Sequence, residues 1–414
     1  MNLNEKQKKA VRTDARFLFL LAGAGTGKTR VITERIRYLI EKGTDPSRIL
    51  AITFTRKATL EMHERTGERG VRIHTFHQFA YGYLDHDHRL FDETKSPFTR
   101  EQLLSFSVYK NGLFRGLRPR GFKAYQRHLK RQNLIDYDDI LLEFDRLLAE
   151  KRVTLALDHI FIDEFQDTND LQYGVLKRMI GKNTAVFAVG DPDQSIYRFR
   201  GARENIILRF VRDYRAKEET LDLNYRSDQA IIAHANRLIA HNVRAFKKSL
   251  VAVSTELGSV LSLRYHDPEE EARDLIELIR FLIRQGIKAE EIAVLYRTHA
   301  RCYELQFEML KADLLFQEYE ETDHAVPEGI QLLTIHRAKG LEFDVVFVIG
   351  LEAGLFPSNR ENRLSETEEE RRLLFVAMTR ARHALYLSST QYDWSGRWQR
   401  PSHFLLESAV KPSE

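Results

Sequence analysis

Phe17-Leu18-Phe19-Leu20-Leu21-Ala22-Gly23-Ala24-Gly25-Thr26-Gly27-Lys28-Thr29 decides how the chain is read. Six apolar residues run into a glycine-rich turn that closes on Gly27-Lys28-Thr29. From Arg30 to Ile40 apolar residues then fall at helical spacing (Val31, Ile32, Ile36, Leu39, Ile40). The pattern is buried strand, phosphate loop, helix. Glycines let the backbone wrap closely enough for its N–H groups to face phosphate oxygens, and the helix N-terminus adds partial positive charge at the same point. In that frame Lys28 reaches the β- and γ-phosphates of a nucleotide and Thr29 holds Mg²⁺. Ala22 stands where the usual spacing puts the first glycine, and it is small enough to keep the loop geometry. The competing reading, a chance glycine-rich turn, is disfavoured by the strand and the helix on either side.

Bulk properties bound the rest. A chain of 414 residues, 43% apolar and 30% charged, suggests two or three domains with real cores. The formal charge of +4 is too small by itself to argue for nucleic acid, so charge distribution matters more than the sum. One cysteine, Cys302, excludes an intrachain disulfide and a cysteine metal cluster and fits a reducing cytoplasm. The polar N-terminus lacks a signal-peptide apolar region and no apolar run approaches 18 residues, so no membrane span is expected. The chain ends soon after Phe404-Leu405-Leu406, so neither a nuclease domain nor a long partner-binding tail is expected.

Leu3 to Val11 reads as a short helix. Its Gln7 can donate to and accept from an adenine edge, with a solvated helix residue as the alternative. Ile49–Phe54 reads as a second strand running into Thr53-Phe54-Thr55-Arg56-Lys57-Ala58, followed by Ile73-His74-Thr75-Phe76-His77. A polar, basic and aromatic cluster at a strand's carboxyl end is where open α/β sheets bind ligands. Hydroxyls, cations and rings together suit a phosphate backbone with bases, while an ordinary loop is the bland alternative. Residues 81–150 break the strand–helix alternation and look mostly helical. Gln102 to Ile135 contains no acidic residue but carries Lys110, Arg115, Arg118, Arg120, Lys123, Arg127, Lys130 and Arg131, interleaved with Phe114, Phe122 and Tyr125. This predicts an inserted subdomain with a basic surface facing nucleic acid; a merely solvated face is the alternative.

Ile160-Phe161-Ile162 ends in Asp163-Glu164, some 135 residues after the phosphate loop. The first carboxylate suits Mg²⁺ held through water, and the second suits orienting and deprotonating the attacking water. A further strand, Ala185–Val189, runs into Gly190-Asp191-Pro192-Asp193-Gln194-Ser195-Ile196-Tyr197-Arg198-Phe199-Arg200-Gly201. Gln194 there suits the γ-phosphate, and Tyr197 and Phe199 supply π-faces close by in sequence. Leu221–Ser227 opens another helix. From about Ser259 a second strand–helix series begins, with strands at Val260–Tyr265, Ile292–Tyr296, Ile330–Ile335, Val345–Ile349 and Ala384–Ser388 and a helix across Glu370–Arg382. It has no phosphate loop of its own but offers arginines, which suits a two-domain clamp.

Taken together these motifs resemble superfamily 1 helicases of the UvrD/Rep/PcrA type. The resemblance rests on at least seven motifs in the family's order. They are Leu3–Gln7, the phosphate loop, Thr53–Ala58, Asp163-Glu164 with Gln166-Asp167-Thr168, Gly190–Gly201, Asn224–Ser227, and the pair His336–Phe343 and Val376–Arg382. It implies an α/β fold of two RecA-like parallel-sheet motor domains. Residues 1–80 and 151–220 would form the first, residues 81–150 a small helical insertion in it, and residues 221–414 the second. It implies that ATP is held by Gln7, Ala22, Gly23, Ala24, Gly25, Thr26, Gly27, Lys28, Thr29, Arg30, Tyr225 (stacking on adenine) and Glu342 (ribose). Mg²⁺ would be held by Thr29 and Asp163. Catalysis would fall to Lys28, Asp163, Glu164, Gln194 and the finger arginines Arg226 and Arg380. Phe54, Thr55, Phe76, His77, Tyr197, Phe199 and His336 would line the single-strand path. Phe199 stands where the family usually has Trp, a smaller face that still stacks.

The resemblance further implies 3′→5′ movement on single-stranded DNA, action at single-strand/duplex junctions, and a role in repair or replication. Only about thirty-five residues separate the strand at Ile292–Tyr296 from the His336 motif, where the family carries a large helical insertion that contacts duplex. The family couples ATP hydrolysis to strand separation; here translocation is expected to survive, while unaided unwinding of duplex stays open, with a partner protein or a second copy as the other route to it. Two rivals stand beside this reading. One is an RNA-directed motor on the same scaffold. The other is an ATP-switched nucleic-acid-binding module or loader that recruits a partner without moving.

Overall fold

The runs of β-branched and aromatic residues that precede each motif form strands, and all of those in the two large sheets are parallel. The computed structural model describes residues 3–84, 87–112, 114–198, 205–318, 328–358 and 364–410, and the chain divides into two units. The first comprises residues 1–22 and 27–221, the second residues 23–26 and 222–414. Phe199, Arg200 and Gly201 lie outside the described residues. No helix among the described residues is long and apolar enough to cross a membrane.

In the first unit α1 (Glu5–Arg12) precedes β1 (Phe17–Ala22), α2 (Lys28–Glu41), β2 (Ile49–Thr53), α3 (Arg56–Thr66), β3 (Arg72–Thr75) and α4 (Phe76–Tyr81). The segment that follows holds the short strands β4 (Arg89–Leu90) and β5 (Leu134–Ile135) and the helices α5 (Arg100–Asn111), α6 (Phe122–Arg131) and α7 (Tyr137–Ala149). The large sheet then resumes with β6 (His159–Ile162), α8 (Asp170–Met179), β7 (Ala185–Gly190), α9 (Ile206–Tyr214) and β8 (Lys217–Leu221). Its strand order is β3-β2-β6-β7-β1-β8. The order explains the site: β6, β7 and β1 are neighbours, so three motifs far apart in sequence emerge side by side at one edge. The sheet is buried against Val31, Ile32 and Ile36 of α2 and Ala10 and Val11 of α1.

The segment between β3 and β6 has a core of its own, made of Phe91, Leu103, Phe106, Phe122, Tyr125 and Leu129. Phe106 stacks on Tyr125 at 4.9 Å between ring centroids, and such pairs contribute about 0.5–1.5 kcal/mol beyond area burial. Two interleaved aromatics of the basic stretch are thus core residues rather than stacking surface, because 122, 125 and 129 share one face of α6. Lys110 is likewise no surface cation. It is 1% exposed, and its ammonium meets Asp136 at 2.6 Å and Asp139 at 2.7 Å.

The second unit carries the small pair β9 (Leu223–Asn224) and β10 (Val251–Ala252) around α10 (Gln229–Ile239). A six-stranded sheet follows, built from β11 (Ser259–Tyr265), β12 (Ile292–Tyr296), β13 (Phe316–Glu318), β14 (Ile330–Thr334), β15 (Phe343–Ile349) and β16 (Ala381–Thr390). The connecting helices are α11 (Pro268–Arg284), α12 (Tyr303–Lys311), α13 (Leu364–Met378) and α14 (His403–Glu407). Strand order is β11-β16-β15-β12-β14-β13. The helix expected across Glu370–Arg382 instead ends at Met378, and Ala381-Arg382 already belong to β16. Thr379 and Arg380 make the stop. The Thr379 hydroxyl adds to its own N–H on the Phe375 carbonyl, at 2.9 and 3.1 Å, and Arg380 Nε donates at 2.9 Å to the Val376 carbonyl, which the last turn of the helix leaves open.

Candidate nucleotide site and nucleic-acid surface

The phosphate loop leaves β1 at Ala22, which is fully buried, and enters α2 at Lys28. Gly25 and Gly27 sit at φ +64° and +82°, where a side chain is strained. A Cβ on Gly25 would also fall 2.5 Å from the Asn224 amide. Residues 23–26 group with the second unit: the Asn224 side chain donates to the Ala24 carbonyl at 2.7 Å and Tyr225 N to the Gly25 carbonyl at 2.9 Å. Thr26 closes the turn, its hydroxyl donating to the Gly23 carbonyl at 2.9 Å. Gln7 is no solvated helix residue. It is 2% exposed, its Oε1 caps α1 by accepting from Asn4 N at 3.0 Å, and its Nε2 lies 3.1 Å from where a Cβ on Gly27 would stand.

Lys28 and Glu164, 136 positions apart, meet at 2.7 Å. Glu164 takes the left-handed conformation at φ 50°, and its N–H donates to Asp163 Oδ1 at 2.9 Å. Burial, joined by the adjacent Glu164 charge, pushes the Asp163 carboxyl up to about 7 against the pull of Lys28. Such a carboxylate gains most from a cation. Among the described residues no cluster of three or more His, Cys, Asp or Glu could hold a metal ion by itself. That donor set fits Mg²⁺ arriving with a nucleotide, since this ion is held by one or two protein oxygens plus phosphates. Asp163 and the half-buried Thr29 of α2 would be those protein oxygens.

At the end of β7, Gln194 donates to Asp191 Oδ2 at 2.6 Å. Asp191 N in turn donates to Gln166 Oε1 at 2.9 Å, and Gln166 Nε2 donates to Glu164. Lys28, Asp163, Glu164 and Gln194 therefore share one hydrogen-bonded site. Gln166 is the member whose role the sequence did not suggest, although it lies in the motif that carries the carboxylates. Arg30 is half-buried in the first turn of α2.

The second unit holds Tyr225, Arg226, Glu342 and Arg380. Tyr225 is 37% exposed. Arg226 Nε meets Glu342 at 2.6 Å, and Arg382 meets the other Glu342 oxygen at 2.9 Å. Burial alone would raise the Glu342 carboxyl, but the two guanidiniums overcome it and hold it at about 2. Glu342, expected at a ribose, is thus clamped between two arginines. Arg380 is 2% exposed and donates to the carbonyls of Val376 and Leu341, the latter at 3.1 Å.

Of the residues expected along a single strand, Phe54 and Tyr197 stack on each other at 5.0 Å. Thr55 caps α3 by accepting from Ala58 N at 3.1 Å. Phe76 is buried, and the half-buried His77 meets Tyr137 edge-on at 5.6 Å. His336 is half-buried in the turn after β14, and Phe199 is not among the described residues. A pair of tryptophans was not foreseen. Trp394 and Trp398 are 88% and 54% exposed on a turn pinned by Asp393, which accepts from Ser395, Arg397 and Gln399. Arg400 lies over the Trp398 ring at 5.8 Å. Indole faces beside guanidiniums suit the bases and phosphates of a single strand, and both tryptophans of the chain falling among Tyr392, Arg397 and Arg400 was the available signal.

Among known proteins, a family profile described as an AAA domain matches residues 7–200. The profile of the UvrD-like helicase C-terminal domain matches in two stretches, 220–324 and 307–392. A probable DNA helicase of Mycoplasma pneumoniae is 31% identical over 98% of this chain and 86% of its own length. The ATP-dependent DNA helicase PcrA of Staphylococcus epidermidis is 33% identical over 76% of this chain, and DNA helicase II of Escherichia coli 32% identical over 77%. The matches to those two cover about half of each, 50% and 51%. With two parallel sheets and a phosphate loop facing a carboxylate pair, the chain belongs to the UvrD-like family of ATP-dependent DNA helicases.

Proposed function

We propose that this helicase moves 3′→5′ along single-stranded DNA, hydrolysing ATP with Mg²⁺, and acts at single-strand/duplex junctions in cytoplasmic DNA repair or replication. The observation that carries the reading is the Lys28–Glu164 contact at 2.7 Å, with Asp163 and Gln194 tied into the same network. In this pairing Lys28 and Glu164 neutralise each other. A γ-phosphate offers Lys28 a better partner and frees Glu164 to take a proton from the attacking water. Gln194, Arg226 and Arg380 act on the γ-phosphate, the arginines as fingers worth roughly 10³–10⁵ in rate. Gln7 and Tyr225 hold adenine, Glu342 the ribose, and residues 22–30 the phosphates. Phe54, Thr55, Phe76, His77, Tyr197, Phe199 and His336 line the strand.

The test is ATP hydrolysis with and without single-stranded DNA, alongside Lys28→Ala. Strong stimulation that the variant abolishes is the expected result. Absence of stimulation would favour the switched binding module. Stronger stimulation by a matched RNA oligonucleotide would favour the RNA motor.

A further inference from the structure

Gln166 is 2% exposed and sits between the two carboxyl ends that build the site. Its carboxamide is read on both sides. Nε2 donates to Glu164 Oε2, and Oε1 accepts from Asp191 N at 2.9 Å. The opposite orientation of the amide would set N–H against N–H and oxygen against carboxylate, so its partners allow only this one. Gly190 leaves it room, since a Cβ there would stand 2.6 Å from Gln166 Oε1. Beyond Asp191 the chain of hydrogen bonds continues, Asp191 Oδ2 accepting from Gln194 at 2.6 Å.

Lys28 meets one Glu164 carboxylate oxygen and Gln166 the other. The nucleotide competes for Lys28. Once phosphate takes it, the Gln166 amide still holds the carboxylate, and the oxygen of that amide is tied to Asp191 at the end of β7, the strand end that bears Gln194. Gln194 bonds the side chain of the same Asp191 whose N–H holds Gln166, so its departure for a γ-phosphate would remove a bond from the residue next in line to Glu164. We propose that Gln166 is a positioning residue that aims the Glu164 carboxylate and links it to the state of Gln194. The proposal rests on the reading of Glu164 as base and Gln194 as γ-phosphate ligand.

Gln166→Glu is the discriminating variant. It keeps shape and keeps an acceptor for Asp191 N, but replaces the donor to Glu164 with a like charge. A merely structural glutamine predicts near-normal turnover. Positioning predicts a kcat in saturating single-stranded DNA lowered by about 10–100-fold with the KM for ATP changed less than about twofold. Adding Gln194→Ala should then cost less than the same change costs in the parent, because residues acting as a unit are non-additive. A Gln166→Glu kcat within about twofold of the parent, or fully additive losses in the double variant, overturns the proposal. Gly190→Ala displaces the same amide from the β7 side, carries the same expectation, and serves where Gln166→Glu does not fold. Glu164→Gln separates the two readings. If it is inactive while Gln166→Glu is normal, the base stands and the positioning role falls; near-normal turnover of Glu164→Gln removes both.

Discussion

Glu164 holds a left-handed backbone that costs a non-glycine residue about 1–3 kcal/mol. Asp163 and Asp167 support it through hydrogen bonds at 2.9 and 3.0 Å. Glu164→Gln should bind ATP and single-stranded DNA normally and lower turnover by about 10²–10⁴-fold, the range of a lost general base. Filter binding together with steady-state ATPase checks both halves. His77 gives a prediction in pH. Burial draws its ring down to about 4 against the upward pull of Asp136, so it is neutral across the physiological range. The unfolded value lies near 6.5, so the unfolded chain binds more protons between about pH 6.5 and 4. The stability contributed by the neutral ring is complete above that window and lost as pH falls through it. His77→Gln should flatten the acid-side loss of stability in denaturant titrations and leave the pH dependence of DNA affinity above about pH 5.5 unchanged. An affinity that rises on mild acidification, and stops rising in the variant, would mean the ring carries charge onto phosphate.

Among the elements, α6 separates what spacing reveals from what it conceals. Its apolar positions at 122, 125 and 129 share one face and pack inward, against the expectation that Phe122 and Tyr125 interleave a basic surface, and the exposed Lys123, Arg127, Lys130 and Arg131 follow on the other side. Lys110 was not legible. Its partners Asp136 and Asp139 lie 26 and 29 positions on, just past the acid-free stretch, and only the packing of α5 against α7 brings them together. Two kinds of substitution should therefore behave oppositely. Lys110→Met takes the cation from the buried Asp136 and the half-buried Asp139 and should cost about 3–5 kcal/mol in urea titrations, with the salt dependence of DNA binding unchanged. Neutralising Lys123, Arg127 and Lys130 should leave stability alone and flatten the log–log salt dependence by about 0.7 for each phosphate no longer neutralised. An unchanged slope would return that face to solvent. The α13–β16 boundary was missed for a related reason: Glu370–Arg382 keeps helical periodicity throughout, and the stop is made by two side chains bonding backward to carbonyls.

For the molecule as a whole, the two sheets were legible from their central strands, which are dense apolar runs ending in polar motifs, whereas the edge strands β8 (Lys-Glu-Glu-Thr-Leu) and β13 (Phe-Gln-Glu) carry no such run. Which motifs become neighbours was not, because strand order in the sheet is set by crossovers that periodicity does not encode. What the second unit lacks follows from length. Between β12 and the His336 turn lie only about forty residues, and those described there hold α12, β13 and β14. The UvrD-like C-terminal profile matches in two stretches that overlap at residues 307–324, as it would if family sequence were missing there. On the proposed reading the two sheets suffice to step along a single strand, and holding duplex open calls for a further surface. The two activities should thus come apart. On single-stranded DNA the protein should displace streptavidin from a biotinylated 5′ end faster than from a 3′ end, at the cost of ATP. On a 3′-tailed duplex in the same buffer, strand separation should be slow unless protein is raised to multiple copies per tail or a partner is added. Unwinding by a single copy at the streptavidin-displacement rate would show that the core opens duplex unaided, and equal displacement from both ends would remove the directional motor.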